Sequence, residues 1–304
     1  MQVDRSLLYA YRDASGWGTK VAQAGERAGL PVHLFDDADA VPDRPVPVFV
    51  HMNHRPGLRE RDKRLMRRLA RKQVLLIPTG LEGELYDDKV RQYALLHRYM
   101  PPSLHLVTRR QSKTAVTAMQ YPFVSKAATG ASSRNVRLVR TPAEAECEIS
   151  LAFGPGIPLH WDQRQRGYLF WQRFCPGNAH DWRVIIIARR YACILKRFNR
   201  EEVPFASGSG RDEPAYPIPG GLTERLLDRA LEIVEAHAFS LCAMDFVLDG
   251  EEIKLLETSV GWPYHRVRGA RFFTHGQGAW QPTRYLVTDL FDLIVDAVRR
   301  GESA

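Results

Sequence analysis

Short apolar runs alternate with amphipathic segments through roughly the first hundred residues, and this alternation constrains the fold most. Segments 15–29 and 55–72 have the spacing of amphipathic helices. Four apolar runs before, between and after these segments are typical of buried strands: residues 7–11, 31–35, 47–51 and 73–78. Strands that alternate with helices predict a doubly wound parallel α/β domain. No Gly-x-Gly-x-x-Gly follows the first strand, so the standard dinucleotide fingerprint is missing.

The basic character of the chain is concentrated in one predicted helix. Its 43 Lys and Arg residues against 35 Asp and Glu give a net charge of +8. Much of the excess lies in residues 55–72, RPGLRERDKRLMRRLARK. We favour a solvated basic face with Leu65, Met66 and Leu69 turned inward. An anionic ligand or a nucleic acid is the alternative partner.

Several classes of protein are disfavoured by composition. No apolar run approaches the ~18 residues of a membrane span, and the N-terminus does not resemble a secretory signal. The four cysteines are scattered without a Cys-x-x-Cys pair, which argues against a zinc ribbon or a disulfide framework. These features predict a cytoplasmic protein in a reducing compartment.

The rest of the chain shows a second pattern that is richer in strands. Helices are predicted at 86–99, 142–149, 223–236 and 283–300. Strands are predicted at 121–126, 136–139, 168–174, 182–187, 195–198, 242–248 and 253–257. The last two strands flank Asp249-Gly250, which predicts a β-hairpin. The small-residue run Gly208-Ser209-Gly210 is most often a linker or loop.

Two places outside the hairpin combine charge with local structure that could hold an anion. Lys126 ends a strand and precedes a loop of small residues at 127–135, which suits phosphate, although a surface lysine beside a flexible turn is the alternative. Asp181 and Arg183 stand two apart on a strand and therefore share a face. They could form a surface ion pair or hold a ribose and a phosphate.

The most informative pair of residues is Asp245 and Glu257. Each lies in an apolar run, and the turn at Asp249-Gly250 makes their strands antiparallel. Counting outward from the turn brings the two carboxylates near each other on adjacent strands. Facing carboxylates repel and need a cation, for which Mg²⁺ with nucleotide phosphates is suited. One buried acid paired with a lysine or arginine is the alternative.

Taken in chain order, these segments resemble the ATP-grasp superfamily, and most the branch of glutathione synthetases and ribosomal-protein glutamate ligases. The resemblance rests on five segments: YDDK at 86–89, YPFVSKAATGASSRNV at 121–136, YLFWQRFCPGNAHDWRVIII at 168–187, KRFNREEVPFASGSG at 196–210 and MDFVLDGEEIKLLETSVGWP at 244–263. It implies an ATP-grasp fold preceded by the α/β domain. The implied division is 1–108, then a lid subdomain at 109–170 and a C-terminal subdomain at 171–304.

The resemblance also implies roles in holding ATP. Lys89 and Lys126 would contact the phosphates. Gln172 and Phe174 would lie at the adenine hinge, and Asp181 would hold the ribose.

The reacting groups and the metal would be held by residues further along the chain. Arg183 would contact the transferred phosphoryl group, and Arg197 the carboxylate substrate. Asp245, Glu257 and Ser259 would bind Mg²⁺. Ser259 stands where the family commonly has asparagine, and Arg173 stands where an acid is usual, so one metal position is expected to be weak.

Two further segments would contact the substrates. The small-residue loop at 206–210 would face the carboxylate through Ser207, Gly208, Ser209 and Gly210. The segment GWPYHRVR at 261–268, with His265 and Arg266, could line the acceptor pocket or form a packed joint.

The activity that the resemblance implies is ligation of a carboxylate to an amine, with ATP and Mg²⁺ as cofactors. An acyl phosphate would form, and an amide, ADP and phosphate would be released. The partners would be small-molecule, peptide or sugar-linked carboxylates and amines, and a homodimer stays open. The alternatives are a degenerate nucleotide-binding ATP-grasp protein, an ATP-grasp kinase and, less favoured, a basic nucleic-acid-binding protein.

Overall fold

A computed structural model describes residues 3–130, 135–201, 203–218, 220–262 and 269–301. Its strands are β1 (Leu8–Tyr11), β2 (Val32–Phe35), β3 (Pro47–Phe49), β4 (Leu75–Ile77), β5 (Ser103–Leu106), β6 (Phe123–Lys126), β7 (Val136–Val139), β8 (Ile157–Pro158), β9 (Arg164–Gln165), β10 (Leu169–Arg173), β11 (His180–Ile187), β12 (Tyr191–Arg200), β13 (Val203–Pro214), β14 (Leu241–Asp249), β15 (Glu252–Ser259), β16 (Arg271–Gly276) and β17 (Ala279–Leu286). Its α-helices are α1 (Trp17–Ala28), α2 (Pro56–Leu69), α3 (Gly80–Leu85), α4 (Lys89–Leu96), α5 (Arg109–Ala118), α6 (Pro142–Ala152), α7 (Leu222–His237) and α8 (Leu290–Arg300).

The first sheet is parallel, with strand order β2-β1-β3-β4. Helix α1 covers one face through Trp17 and Val21, in a cluster that also includes α8. Helix α2 packs on a second cluster of apolar side chains from the same sheet. Helix α1 ends where Gly29 takes a left-handed φ of 67°, which a residue without a side chain adopts readily. The predicted doubly wound parallel α/β domain is therefore confirmed.

The basic helix α2 is amphipathic as predicted, with Leu65, Met66 and Leu69 buried. Many of its cationic side chains are satisfied within the chain. They pair with acids on neighbouring elements, as in Arg59–Asp87, Arg67–Glu84, Arg68–Asp37 and Arg68–Asp39. These ion pairs neutralise much of the positive charge of α2 within the protein. Less of that charge is therefore available to bind a polyanion.

Two antiparallel sheets follow. One has the order β5-β10-β6-β7 and packs against α5 and α6. The other has the path β15-β14-β11-β12-β16-β17, with β13 paired to β12. Helix α7 packs on one face of this larger sheet, through the apolar positions expected from the sequence, and α8 packs on the other. None of the described helices has the length and apolar character needed to cross a bilayer.

The prediction of a C-terminal helix over 283–300 is wrong in its first part. Residues Ala279–Leu286 form β17, an edge strand paired with β16, and the α-helix begins only at Leu290. Pro282 lies in this edge strand, where a missing N–H costs little. The polar sequence WQPTRY carries no clear period, so its pairing comes from the neighbouring strand.

The structure also differs from the sequence predictions at β13 and α5. The run Gly208-Ser209-Gly210 was expected to be a loop, but its backbone belongs to β13, which pairs with β12 across an irregular register. Helix α5 was not predicted, because RRQSKTAVTA offers few apolar positions. Its start follows the N-cap of Thr108, which accepts a hydrogen bond from Gln111 N.

A buried carboxylate ties the N-terminal part of the chain to the large sheet. Glu82 completes the capping box of α3 with Thr79. It also accepts hydrogen bonds from Ser240 N and Oγ and from Leu241 N, at the start of β14. Burial raises its pKa even though these donors lower it. Backbone N–H groups therefore replace water around this carboxylate.

Replacing this carboxylate should weaken the fold. In Glu82→Gln an amide NH₂ faces N–H donors, so we expect the free energy of unfolding to fall by about 1–3 kcal/mol. Glu84→Gln is the matched control, because Glu84 makes more exposed ion pairs with Arg67 and Arg91, and it should cost about 0–1 kcal/mol. Urea unfolding followed by circular dichroism measures both. Equal losses would contradict the structural role of Glu82.

Candidate active site

Charged residues line up across neighbouring strands of the large sheet. Asp245 on β14 lies directly opposite Glu257 on β15, as the hairpin count predicts. On its other side Asp245 lies opposite Arg183 on β11. Asp181 on β11 lies opposite Arg197 on β12. Antiparallel pairing thus gathers five charged side chains from four strands on one region of the sheet.

Asp245 is the centre of this group. Its two carboxylate oxygens accept hydrogen bonds from Arg183 Nε at 2.7 Å and Nη2 at 2.8 Å, a bidentate pair. Arg197 donates a further hydrogen bond to the same carboxylate. Burial alone would raise the pKa of Asp245, but the two guanidinium groups outweigh it and hold that pKa well below its usual range. Asp245 is therefore ionised and shared between two cations.

The Asp181–Arg183 surface pair considered from the sequence is not formed. Asp181 instead lies 3.7 Å from Arg197, and its side chain is buried. Burial alone would lower the pKa of Arg197, but Asp245 and Asp181 raise it. The strand spacing correctly places residues 181 and 183 near the same cluster, while their partners come from β12 and β14.

Lys89 connects the small-residue loop to the β14–β15 hairpin. Its Nζ donates to Gly130 O at 3.0 Å and to Glu257 Oε1 at 3.2 Å. Its backbone N–H donates to Ala128 O. Burial alone would lower the pKa of Lys89, but the charges of Glu257 and Asp87 raise it. Lys89 is thus a buried cation at the start of the loop.

Asp87 holds the same loop and was missed from the sequence. Its carboxylate accepts a hydrogen bond from Gly130 N at 2.7 Å and one from Arg59 of helix α2. Its backbone φ of 50° is left-handed, a conformation that aspartate adopts more readily than most residues. The two consecutive aspartates of YDDK were the available signal in the sequence. Only the fold brings Arg59 of α2 within hydrogen-bond distance of Asp87.

Lys126 is buried without a carboxylate partner among the described residues. Its Nζ donates to Gln172 Oε1 at 2.6 Å, and Gln172 Nε2 donates in turn to Ser103 Oγ at 3.1 Å. Burial, followed by repulsion from Lys89, lowers the pKa of Lys126 to about 8. A buried ammonium beside a neutral amide and a second cation is the pattern expected where an anion binds. The surface-lysine alternative is therefore wrong.

The end of β10 and the segment after it, here called the hinge, contact the turn of the β14–β15 hairpin. Arg173 pairs with Asp249 in that turn. Asn178 accepts a hydrogen bond from Leu248 N and donates one to Leu248 O. Phe174 follows β10 and is half-buried. The hinge and the acids at 245 and 257 therefore belong to one connected unit.

The remaining predicted site residues are Ser259, residues 206–210, His265 and Arg266. Ser259 Oγ donates to Gly261 O at 2.7 Å and accepts from Gly261 N, so its hydroxyl is used by the local turn. For residues 206–210 only the backbone is described, and Ser207 lies opposite Asn199. His265 and Arg266 lie outside the described residues. Their proposed contacts with substrate stay predictions.

The donor chemistry of this region fits a magnesium ion, but does not complete its coordination. Asp245 and Glu257 offer hard carboxylate oxygens on directly opposed positions. No group of three or more His, Cys, Asp or Glu side chains suited to a metal occurs in the described part of the chain. Water or phosphate oxygens would have to supply the other positions, which is the usual manner of Mg²⁺ binding.

Comparisons with known proteins agree with this architecture. No protein-family model matches the sequence, and no curated protein matches it. The structure is similar to that of the ATP-grasp ligase PsnB with a minimal precursor, Mg and ADP, at TM-score 0.61 and 13% identity, covering 98% of this chain and 100% of that one. D-cycloserine synthetase DcsG matches at TM-score 0.62 and 13% identity over 97% and 99% of the two chains. A RimK domain ATP-grasp protein from Sphaerobacter thermophilus matches at 0.60 and 16% over 95% and 98%. The chain has the ATP-grasp fold.

Removing the central carboxylate should destabilise the protein strongly. Asp245→Asn removes the negative charge that Arg183 and Arg197 share, so the free energy of unfolding should fall by about 3–5 kcal/mol. Because the pKa of Asp245 is depressed, this difference should be present above about pH 4 and be lost as pH falls through the folded pKa.

Asp249→Asn is the control for this prediction. It breaks the more exposed pair with Arg173 and should cost about 0–1 kcal/mol. Urea unfolding at several pH values gives both numbers. A loss below about 1 kcal/mol for Asp245→Asn would show that the two arginines find other compensation.

Proposed function

We propose that the protein is an ATP- and Mg²⁺-dependent ligase that joins a carboxylate to an amine and releases ADP and phosphate. The observation that carries the proposal is Lys126, a buried cation with no carboxylate partner in the described structure. It lies in an ATP-grasp fold, near a second buried lysine. Solved proteins of similar structure are named as ligases or synthetases, among them PsnB with Mg and ADP.

The nucleotide would bind between the two antiparallel sheets. Lys126 and Lys89 would neutralise its phosphates, and backbone N–H groups of the small-residue loop would cradle them. Gln172 and Phe174 would contact the adenine at the hinge, and Asp181 the ribose. Gln172 already orients Lys126 through a hydrogen bond, so the two residues would act as one unit.

Asp245 and Glu257 would hold Mg²⁺. In this structure they are neutralised by Arg183, Arg197 and Lys89. Phosphate groups that draw these cations away would leave the two carboxylates available for the metal. When bound, Mg²⁺ would offset the negative charge on the phosphate oxygens.

The arginines would serve the activation step. A carboxylate is a poor electrophile, and transfer of the γ-phosphoryl group converts it to an acyl phosphate with a good leaving group. Arg183 would stabilise the transferring phosphoryl group, because its fork of N–H donors matches phosphate oxygens. Arg197 and residues 206–210 would position the carboxylate. Positioning and charge stabilisation suffice for this chemistry, so no covalent nucleophile is required.

The substrates would be a small-molecule or peptide carboxylate and an amine. A nucleotide-binding protein without ligase activity is the second candidate, because the Ser259 hydroxyl is used by Gly261 rather than left for a metal. The two candidates share ATP binding and differ in turnover.

The experiment that tests the proposal measures ADP release with ATP and Mg²⁺. Amino acids and dipeptides serve as carboxylates, and hydroxylamine serves as a general acceptor that traps acyl phosphates. ADP release that depends on both a carboxylate and Mg²⁺ supports the ligase. A rise in melting temperature with ATP and Mg²⁺ but no ADP release would support the binding protein. Neither effect would refute both.

Affinity for ATP should depend on the protonation of Lys126. Phosphate beside Lys126 raises its pKa above the free value of about 8, so the complex holds a proton that the free protein loses. Affinity should therefore fall as pH rises above about 8, by up to about tenfold per pH unit. Isothermal titration calorimetry with a non-hydrolysable ATP analogue measures the fall.

Two variants control this prediction. Lys126→Arg keeps its charge at every pH used, so its pH dependence should flatten. Lys113→Arg, on the exposed face of α5, should retain the wild-type profile. A wild-type affinity that does not change with pH would argue that Lys126 does not contact the phosphates.

Arg183 should matter more for turnover than for ATP affinity. Arg183→Lys keeps the charge and loses the two-point fork, so kcat should fall by about 10²–10³-fold while ATP affinity changes less than about threefold. Steady-state kinetics and calorimetry separate the two effects. Arg12→Lys, at an exposed site, is the control. Equal losses in both quantities would make Arg183 a general nucleotide clamp.

A further inference from the structure

A histidine and an aspartate meet at the carboxyl edge of the parallel sheet. Asp13 follows β1 and His51 follows β3, the two central strands of the order β2-β1-β3-β4. Strand β2, which follows β1 in the chain, pairs on one side of β1, and β3 pairs on the other side. The direction in which strands are added to the sheet therefore reverses between β1 and β3. Such switch points are where open α/β sheets bind ligands.

The two side chains form a buried dyad. His51 Nδ1 lies 3.1 Å from Asp13 Oδ1. Asp13 also accepts hydrogen bonds from Ser15 N and Gly18 N, at the start of α1. Burial alone would raise the pKa of Asp13, but His51 and these N–H groups lower it, so Asp13 is ionised. An ionised carboxylate can only accept, so we assign the Nδ1 proton to His51.

The second ring nitrogen of His51 has no hydrogen-bond partner among the described residues. It faces the segment that leaves β15, since a Cβ built on Gly261 would lie 2.9 Å from Nε2. Trp17 stacks on the imidazole with ring centroids 4.3 Å apart. The indole face and the Asp13 carboxylate both attract positive charge that develops on His51.

A second observation also indicates a ligand. Trp262, next to Gly261, is buried, and its indole N–H has no hydrogen-bond partner among the residues that the structure describes. An unsatisfied buried donor costs about 1–3 kcal/mol, which a bound acceptor would recover. The ring of Trp262 packs edge-on against Trp17, 5.3 Å between centroids, so this donor belongs to the same cluster as the dyad. Gly261 and Trp262 come shortly after β15, the strand that carries Glu257, and this connects the cluster to the proposed ATP site.

We propose, on the basis of the proposed ligase function, that His51 is the base that accepts the proton of the amine substrate, with Asp13 as its positioning residue. The ammonium nitrogen gives one proton to His51 Nε2, and its freed lone pair attacks the acyl carbon. The bond from that carbon to the phosphate oxygen then breaks. The leaving phosphate takes the second proton of the nitrogen, and the amide retains the third hydrogen.

Other titratable groups near the imidazole are poorly suited to this role. Burial raises the pKa of the Tyr86 phenol far above neutrality, and the Tyr86 hydroxyl lies toward Gly261. Burial, and then the charges of Arg55 and His51, lower the pKa of His54. Tyr11, close enough to interact with Asp13, has a pKa raised by burial to about 12. His51 is the imidazole that a carboxylate holds at Nδ1 and that has no hydrogen-bond partner at Nε2 among the described residues.

The test compares two acceptors in the ADP-release assay. Glycinamide is largely cationic near neutral pH and must lose a proton, whereas hydroxylamine is uncharged there. The carboxylates are the amino acids and dipeptides of the functional screen. In His51→Gln, the ratio of the glycinamide rate to the hydroxylamine rate should fall at least about tenfold near pH 7. The ratio should recover as pH rises and glycinamide deprotonates by itself.

Matched variants identify the positioning role of Asp13. Asp13→Asn should lower the same ratio and change its pH profile, and Asp13→Glu should restore part of it. His33→Gln, at an exposed position on β2, should leave the ratio at the wild-type value. A ratio unchanged in His51→Gln would overturn the proposal. An equal loss with both acceptors would also overturn it, because that is the result of a structural role.

A nitrogen-15 spectrum of the wild-type protein makes the result independent of substrate. The His51 signals are identified by their loss in His51→Gln. In the neutral imidazole they should report a proton on Nδ1 and none on Nε2. A proton on Nε2 would overturn the proposal even if the ligase is active. Absence of ADP release with every pair would instead refute the ligase function, while the spectrum still decides the state of the dyad.

Discussion

Compensation of buried charge is the constraint on which the candidate site depends. Asp245 is enclosed by apolar strands and would be costly to ionise there without partners. Arg183 and Arg197 supply them from the two strands beyond it, and Lys89 does the same for Glu257. Every strand that meets in this part of the sheet must therefore keep its register, because a shift by one residue would turn a charge into the apolar core.

The same logic connects the N-terminal domain to the site. Helix α2 contributes Arg59 to Asp87, and Asp87 holds the backbone of the small-residue loop at Gly130. Glu82 ties α3 to the start of β14. The parallel sheet thus does more than precede the ATP-grasp region. Through these contacts it orients one end of the loop, and through Asp13 and His51 it adds a chemical group of its own.

Lys126 differs from the other charges because its compensation is incomplete. Its partner Gln172 is neutral, and its pKa is lowered to about 8 by burial and by Lys89. A fold that retains such a group loses stability in the absence of an anion and regains it when one binds. This explains why the basic excess of the chain has two uses. Ion pairs absorb it on α2, while Lys126 has no carboxylate partner among the described residues.

Much of the architecture and part of the site could be read from the sequence. Alternating apolar runs predicted the parallel sheet, and the turn at Asp249-Gly250 set the register that places Asp245 opposite Glu257. These features depend on local periodicity and turn chemistry, which lie within short stretches of chain. The strand pairing of β17 and β13 could not be predicted, because their residues take an extended form only against a neighbouring strand.

The sequence by itself determined which residues carry charge and on which strands they stand. Tertiary structure alone decided their partners: Asp181 pairs with Arg197 rather than Arg183, and Arg59 reaches Asp87. It also decided that Asp13 and His51 meet. The physical reason is that ion pairs and hydrogen bonds act over a few ångströms between segments distant in the chain. Only the packing of the sheets brings those segments within that range.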